Sequence, residues 1–358
     1  MPSLEPTVRI LIVRLSAIGD VMHTVPLVNA LRDALPNAFL AWVVEGRTAD
    51  LLRSHRALDE LIVLPRRWLR SPRVVLDLRR RLHELRFDVA IDAQGLSKSA
   101  IAGWLSGARR RVGFGGRDGR EISPWLNNEW VVPTRAHIVE RNLELLGPLG
   151  INDCEARFDL DDTPASATVA GEILESARLP ERFALINPGA GWPSKLWPPD
   201  RYATVTRYLG QSRLLRSLVV WAGEQERVWA QEIVAGSAGC AALAPPTNLN
   251  ELAAIARRAT IFVGSDSGPL HVAAAVGTPC VGLFGPMPAE RNGPYGPHNV
   301  AVQRVCLHGT SRERRNAGPE SMAAISVADV TSACDQLLGR SLGAGVDLRP
   351  LNESRRAV

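Results

Sequence analysis

The sequence predicts an α/β protein made of two doubly wound parallel sheets. Three observations carry that expectation. The chain has 358 residues, and a single core stops growing near roughly 250–300 residues, so two domains are expected. Short runs rich in Val and Ile alternate with segments whose apolar residues recur at helical spacing, the pattern of parallel strands buried on both faces and joined by crossover helices. That alternation breaks once, in a more polar stretch at about 159–180 that contains Pro164, and then restarts.

Taken in order, residues 8–14 (VRILIVR) read as the first strand, followed by a helical pattern from Asp20 to Leu35. Strands are expected at 39–44, 61–64 and 87–92, and a helix at about 136–149 ends at Gly147-Pro148 and Gly150. The second half gives strands at 183–187, 217–221, 260–263 and 280–284. Its helices are expected near 200–210, 224–235, 249–258, 268–276 and 327–338. The expected domains are 1–165 and 166–338, and the last residues, 339–358, read as a disordered tail. Ligands of such sheets bind at the carboxyl ends of the strands, here in the cleft between the two halves.

Composition narrows the class. With 46% hydrophobic and 22% charged residues the chain is soluble and globular. A net charge of +5 admits an anionic partner without demanding nucleic acid, which is not expected as a partner. Five scattered cysteines with no C-x-x-C pair specify neither a disulfide framework nor a zinc site. No leader-like segment and no apolar run of ~18–20 residues is found, so a cytoplasmic location is expected. Only two of the 42 Lys+Arg are lysines, Lys98 and Lys195. Where Lys persists against so strong an arginine bias, the position can require a compact ammonium.

Several signatures are missing. No G-x-x-x-x-G-K-[ST] exists, and the run Gly113-x-Gly115-Gly116-x-x-Gly119 is off register for a dinucleotide fingerprint. A P-loop kinase is excluded and a nicotinamide dehydrogenase disfavoured. No G-x-S-x-G elbow or H-E-x-x-H appears either.

Three stretches carry chemistry. The first, Arg14-Leu-Ser-Ala-Ile-Gly-Asp20-Val-Met-His23, directly follows the first strand. Asp20 at a helix start is a good cap worth about 1 kcal/mol, and facing the cleft it is also a candidate general base. The second, Asn187-Pro-Gly-Ala-Gly-Trp-Pro-Ser-Lys195, displays one of the two lysines in a Gly/Pro-rich loop at a strand's carboxyl end, suited to phosphate. The third, Gly264-Ser-Asp266-Ser267-Gly268-Pro-Leu-His271, leads a strand into a helix start whose free N–H groups suit a diphosphate.

Together these stretches resemble the ADP-heptose:lipopolysaccharide heptosyltransferases, glycosyltransferase family 9. Trp42-Val-Val-Glu45, Asp92-Ala-Gln-Gly-Leu-Ser-Lys98-Ser and Trp221-Ala-Gly-Glu224-Gln-Glu226-Arg227 add to the likeness, which spans nearly everything from Arg9 to Leu338. The resemblance implies a GT-B fold, two Rossmann-like domains across a cleft, with acceptor bound by 1–165 and nucleotide sugar by 166–338. It implies inverting transfer of heptose from ADP-heptose to a hydroxyl of the anionic lipopolysaccharide inner core. No carboxylate cluster in the sequence suggests a metal, and neither a metal nor a cofactor is expected. Asp20 falls on the family's catalytic base and Lys195 on its pyrophosphate-binding lysine. Asp266, Ser267, Gly268 and His271 fall on its Asp-Thr-Gly…His loop, with Ser for Thr. Glu224 or Glu226 would meet the ribose, and Thr247 the base. Arg66, Arg67 and Arg120 would meet the acceptor, and contact with the inner-membrane surface follows from where that acceptor resides. Lys98 has a place in the pattern and no assigned role. Two other readings stay open: a transferase of this fold for another nucleotide sugar, and a nucleotide-sugar epimerase. A catalytically silent binding module is argued against by the presence of Asp20.

Overall fold

In a computed structural model the described residues are 8–342. They form two six-stranded, all-parallel sheets. The first contains β1 (Arg9–Val13), β2 (Phe39–Glu45), β3 (Glu60–Leu64), β4 (Val89–Asp92), β5 (Arg110–Phe114) and β6 (Glu129–Val131), in the order 3-2-1-4-5-6. The second contains β7 (Phe183–Asn187), β8 (Arg216–Val219), β9 (Ala241–Leu243), β10 (Ile261–Ser265), β11 (Cys280–Phe284) and β12 (Val300–Gln303), in the order 12-11-10-7-8-9.

Each order reverses direction at its first strand, so the loops after β1 and β7 open onto a crevice at the strands' carboxyl ends. Central strands are apolar because both faces are covered. Ile10, Leu11, Ile12 and Val13 are fully buried, each contributing about 1.5–3 kcal/mol. Ile10 and Ile12 pack into one core, Leu11 and Val13 into another, as the period of two dictates.

Four strands escaped the sequence reading: β5, β6, β9 and β12. They read RRVGF, EWV, AAL and VAVQ. Three of them sit at a sheet edge, where burial is partial and a long Val/Ile run is not needed. Two helices expected as single units are broken. The pattern from Asp20 to Leu35 is two helices, Ile18–Met22 and Val25–Ala34, with Pro26 opening the second. The helix expected at 136–149 is Ile138–Glu144 followed by a short 3-10 turn, Gly147–Leu149.

The polar stretch at 159–180 holds a helix, Pro164–Ser176, capped by the Thr163 hydroxyl, which accepts from the Ser166 N–H at 3.1 Å. Ala170, Ile173 and Leu174 of that helix pack into a core of the second sheet. The last helix runs Val327–Leu342, past the expected stop at 338. The remainder of the expected tail lies outside the described residues.

Helix Gly268–Ala275 joins the two halves. Val272 and Ala275 pack into a core of the first sheet. Gly268 meets Ile18 so closely that an added Cβ would stand 2.9 Å from the Ile18 Cβ. No helix among the described residues is long and apolar enough to cross a membrane.

Candidate active site

A cleft of about 1490 Å³ lies at the carboxyl ends of the two sheets and draws its lining from both. Its floor begins at the turn after β1. Asp20 sits in the first turn of Ile18–Met22, where its Oδ2 accepts from the Ala17 N–H at 3.2 Å. Its Oδ1 lies 2.7 Å from Nη2 of Arg14. The Asp20 side chain keeps 37% exposure, so the carboxylate is paired on one side and reachable from the cleft on the other. Arg14 is buried and also donates to the Ala93 carbonyl.

The stretch after β4 holds that turn in place. Asp92 is buried and accepts from the N–H groups of Gln94 and Gly95, each at 3.0 Å. Burial pushes its carboxyl above the ordinary value, against these hydrogen bonds, which lower it. Gln94 Oε1 accepts from the Leu15 N–H at 2.9 Å. Lys98 Nζ donates to Ser16 Oγ at 3.1 Å and to Glu45 Oε2 at 3.3 Å. The lysine without an assigned role thus ties the Asp20 turn to the end of β2.

Opposite stands the loop after β7. Lys195 ends the 3-10 turn Pro193–Lys195, its Nζ 2.6 Å from Asp266 Oδ2 and 4.4 Å from the centre of the Trp192 ring. Asp266 follows β10 directly. Its Oδ1 is 3.3 Å from His271 Nε2, and His271 Nδ1 is 3.1 Å from His23 Nε2, so a polar chain runs from Lys195 across the join into the first half. Burial works to raise the Asp266 carboxyl. The His271 hydrogen bond and then the Lys195 charge outweigh it and hold the group below the ordinary carboxylate value. His23 is held well below its ordinary value, first by burial and then by the neighbouring His271. Ser267 Oγ accepts from Asn187 Nδ2 at 3.3 Å, joining the two loops of the second sheet.

The walls are cationic. Arg117, Arg120, Arg141, Arg291, Arg312 and Arg314 line the cleft. Asp118 bridges two of them, 3.0 Å from Arg141 and 3.3 Å from Arg291, so one carboxylate links the halves. Such a surface takes anions, and a diphosphate meeting Lys195 would find compact and planar cations together. Among the described residues no group of three or more His, Cys, Asp or Glu side chains could hold a metal ion.

The structure therefore brings Asp20, Lys195, Asp266, Ser267, Gly268, His271 and Arg120 to one cleft. Glu224, Thr247, Arg66 and Arg67 are not part of its lining. Glu224 is 83% exposed and lies 3.5 Å from Arg227. Glu226 is half-buried instead, accepts from the Ala222 N–H at 2.8 Å, and sets its carboxylate against Gly189 of the Lys195 loop. Burial raises its carboxyl. Thr247 is half-buried in the loop after β9. Arg66 and Arg67 are exposed just before the 3-10 turn Trp68–Arg70.

Arg14 and His23 lie inside the first sequence stretch without having been assigned roles there; Arg14 meets Asp20 of the same stretch and the Ala93 carbonyl just after β4, and His23 meets His271 of the second half. Arg141, Arg291, Arg312 and Arg314 carry no local signal in so arginine-rich a chain, and only the fold gathers them.

Comparison with known proteins identifies the family. The family model for glycosyltransferase family 9 (heptosyltransferase) matches residues 75–319. The chain is 30% identical to lipopolysaccharide heptosyltransferase 1 of Pseudomonas aeruginosa, over 86% of this chain and 90% of that protein. The fold superposes on a family 9 glycosyl transferase from Veillonella parvula with a TM-score of 0.80 at 22% identity, covering 94% and 99% of the two chains. It also superposes on E. coli heptosyltransferase WaaC, solved with ADP-2-deoxy-2-fluoro heptose, with a TM-score of 0.71 at 24% identity, covering 92% and 99%. The GT-B architecture is thereby established, and the chain belongs to glycosyltransferase family 9, the heptosyltransferases.

Proposed function

We propose that this protein is an inverting heptosyltransferase that moves heptose from ADP-heptose to a hydroxyl of the lipopolysaccharide inner core. One observation carries the reading: in a chain of this family, a reachable carboxylate, Asp20, and an ammonium, Lys195, held against Asp266, line the same cleft from opposite halves. The acceptor oxygen attacks the anomeric carbon from the Asp20 side, and its proton passes to the Asp20 carboxylate. The carbon–oxygen bond to the diphosphate breaks, and ADP leaves with the electron pair. Lys195 and the N–H groups at the start of Gly268–Ala275 stabilise the charge that develops there, beside Asp266 and Ser267.

The proposal extends to the halves: residues 1–165 bind the acceptor and 166–338 the nucleotide sugar. Arg120, on the cleft wall, is the acceptor contact the geometry supports, with Arg66 and Arg67 reaching it only if the acceptor extends beyond the cleft. For the ribose, the half-buried Glu226 against the Lys195 loop is better supported than Glu224, which points to solvent. Thr247 would meet the base from the loop after β9. The cations already present do the work a divalent metal does in other transferases, so transfer is expected to survive chelation. The enzyme is placed in the cytoplasm, in peripheral contact with the inner membrane that holds its acceptor.

A donor panel tests the reading. ADP-heptose, UDP-sugars and GDP-sugars are each incubated with the enzyme, with and without core acceptor and with EDTA, and nucleoside diphosphate release is measured. ADP release from ADP-heptose that requires acceptor and ignores EDTA is expected. Turnover without acceptor, preference for another nucleotide, or loss in EDTA would overturn the corresponding element.

A further inference from the structure

Three of the nine tryptophans are more than half exposed: Trp104 at 53%, Trp125 at 87% and Trp130 at 57%. The fold gathers them on one edge of the first sheet. Helix Ser97–Leu105, which carries Trp104, packs on helix Ser123–Leu126, which carries Trp125. Trp130, on edge strand β6, donates its Nε1–H to the Pro124 carbonyl at 3.0 Å. Val132, two residues further and 65% exposed, continues the same side. Single exposed apolar side chains need no explanation, but a cluster of this kind marks a surface that meets something.

The charges around it indicate what. Arg109, Arg117 and Arg120 are exposed, and among the described residues none of them forms an ion pair, whereas Arg110 is neutralised by Glu129 at 2.6 Å. Tryptophan beside unpaired arginine suits the boundary between water and an anionic lipid leaflet: the ring settles at the headgroup level and the guanidinium meets phosphate. The patch is also continuous with the cleft, since Arg117, Arg120 and Val132 belong to both.

We propose that this tryptophan–arginine edge docks on an anionic phospholipid bilayer and holds the cleft mouth toward it. The inference rests on the reading above, in which the acceptor glycan is anchored in a leaflet by its lipid. With the edge on the bilayer, a headgroup-level glycan enters the cleft between Arg117 and Arg120 without leaving the membrane.

The test uses the full chain and two variants that touch no cleft residue, Trp104→Ser/Trp125→Ser and Arg109→Ser. Flotation is measured with vesicles of phosphatidylethanolamine and phosphatidylglycerol and with phosphatidylcholine alone. Wild type is expected to float with the anionic vesicles only, in a salt-sensitive manner, and the double variant to bind at least ~10-fold more weakly. Brominated lipid should quench wild-type tryptophan emission, which reads the contact without any variant. Transfer to a lipid-free core oligosaccharide should be unchanged in the variants while transfer to vesicle-embedded acceptor falls. Absence of transfer to either acceptor would defeat the functional reading and leave the vesicle result standing. Wild type that does not float, a double variant that floats equally, or sedimentation showing wild-type dimers that the double variant abolishes would overturn the proposal.

Discussion

Gly19 lies directly against the imidazole of His271: an added Cβ would overlap the ring at Cδ2 and stand 3.2 Å from Cγ. Helices Ile18–Met22 and Gly268–Ala275 cross at that point, so the carbon that glycine lacks is the space through which the two halves meet. Alanine is ordinarily worth about 1 kcal/mol more than glycine within a helix. Overpacking costs about 1–3 kcal/mol and also displaces His271 from Asp266 and His23. Gly19→Ala is therefore expected to lower stability by about 1 kcal/mol and kcat/KM by ~10-fold or more. Thermal unfolding and transfer kinetics check this, and a variant both more stable and fully active would contradict it.

Lys195 and Asp266 form a buried pair, with side chains 13% and 6% exposed. Lys195→Ala leaves Asp266 with His271 alone. The loss of stability is expected near 3 kcal/mol, the low end for breaking a buried pair, because that bond remains. Most of kcat should be lost as well. Lys195→Arg should not restore it, since a planar fork does not replace a compact ammonium wedged beside Trp192. Near-wild-type turnover in either variant would remove the lysine from the mechanism.

Asp20→Asn keeps an oxygen for the Ala17 N–H and removes the basic carboxylate. Donor binding, measured by calorimetry with ADP, should be retained while kcat falls ~10²–10⁴-fold. If ADP affinity fell by the same factor, Asp20 would be a structural cap rather than a base.

His23, His55 and His137 all titrate below the ordinary 6.5, each chiefly because of burial. For His23 the surrounding His271, His137, Arg14 and Arg291 act in the same direction. The unfolded chain takes up these protons near pH 6.5 and the folded chain only at lower pH. Stability should therefore be flat above about pH 7 and fall as pH drops below 6.5 through the folded values. Each histidine contributes up to about 1.4 kcal/mol per pH unit. The Asp266 contribution has a separate window: it is present above the ordinary carboxylate value and is lost as pH falls through the lower folded one. Melting temperatures from pH 8 to 5 should show the first decline, and His23→Gln should make it shallower; an unchanged slope would show that His23 carries none of it.

Much of the fold was written locally. The strand at 183–187 and the strand at 280–284 match β7 and β11 residue for residue, because a strand buried on both faces must be continuously apolar. β9 and β6, three residues each at sheet edges, had no such requirement and left no trace. Within the cleft, Asp20, Lys195 and the Asp266-to-His271 loop were legible because each follows a strand and stands in a short pattern of distinctive residues. Arg291 and Arg141 were not, since an arginine that meets Asp118, from across the cleft or from its own half, looks no different in sequence from one in water.

The sequence by itself determined two parallel α/β halves, a cleft between them, and the loops that face it, because hydrophobic periodicity and turn chemistry act over a few residues. The tertiary structure decided what those loops do to one another. It gave Lys98 a purpose, linking Ser16 to Glu45, and set Glu226 rather than Glu224 against the Lys195 loop. It also ran a chain of buried polar groups from Lys195 through Asp266 and His271 to His23. Those contacts join residues up to 248 positions apart. Their existence depends on packing between the halves, which no local pattern encodes.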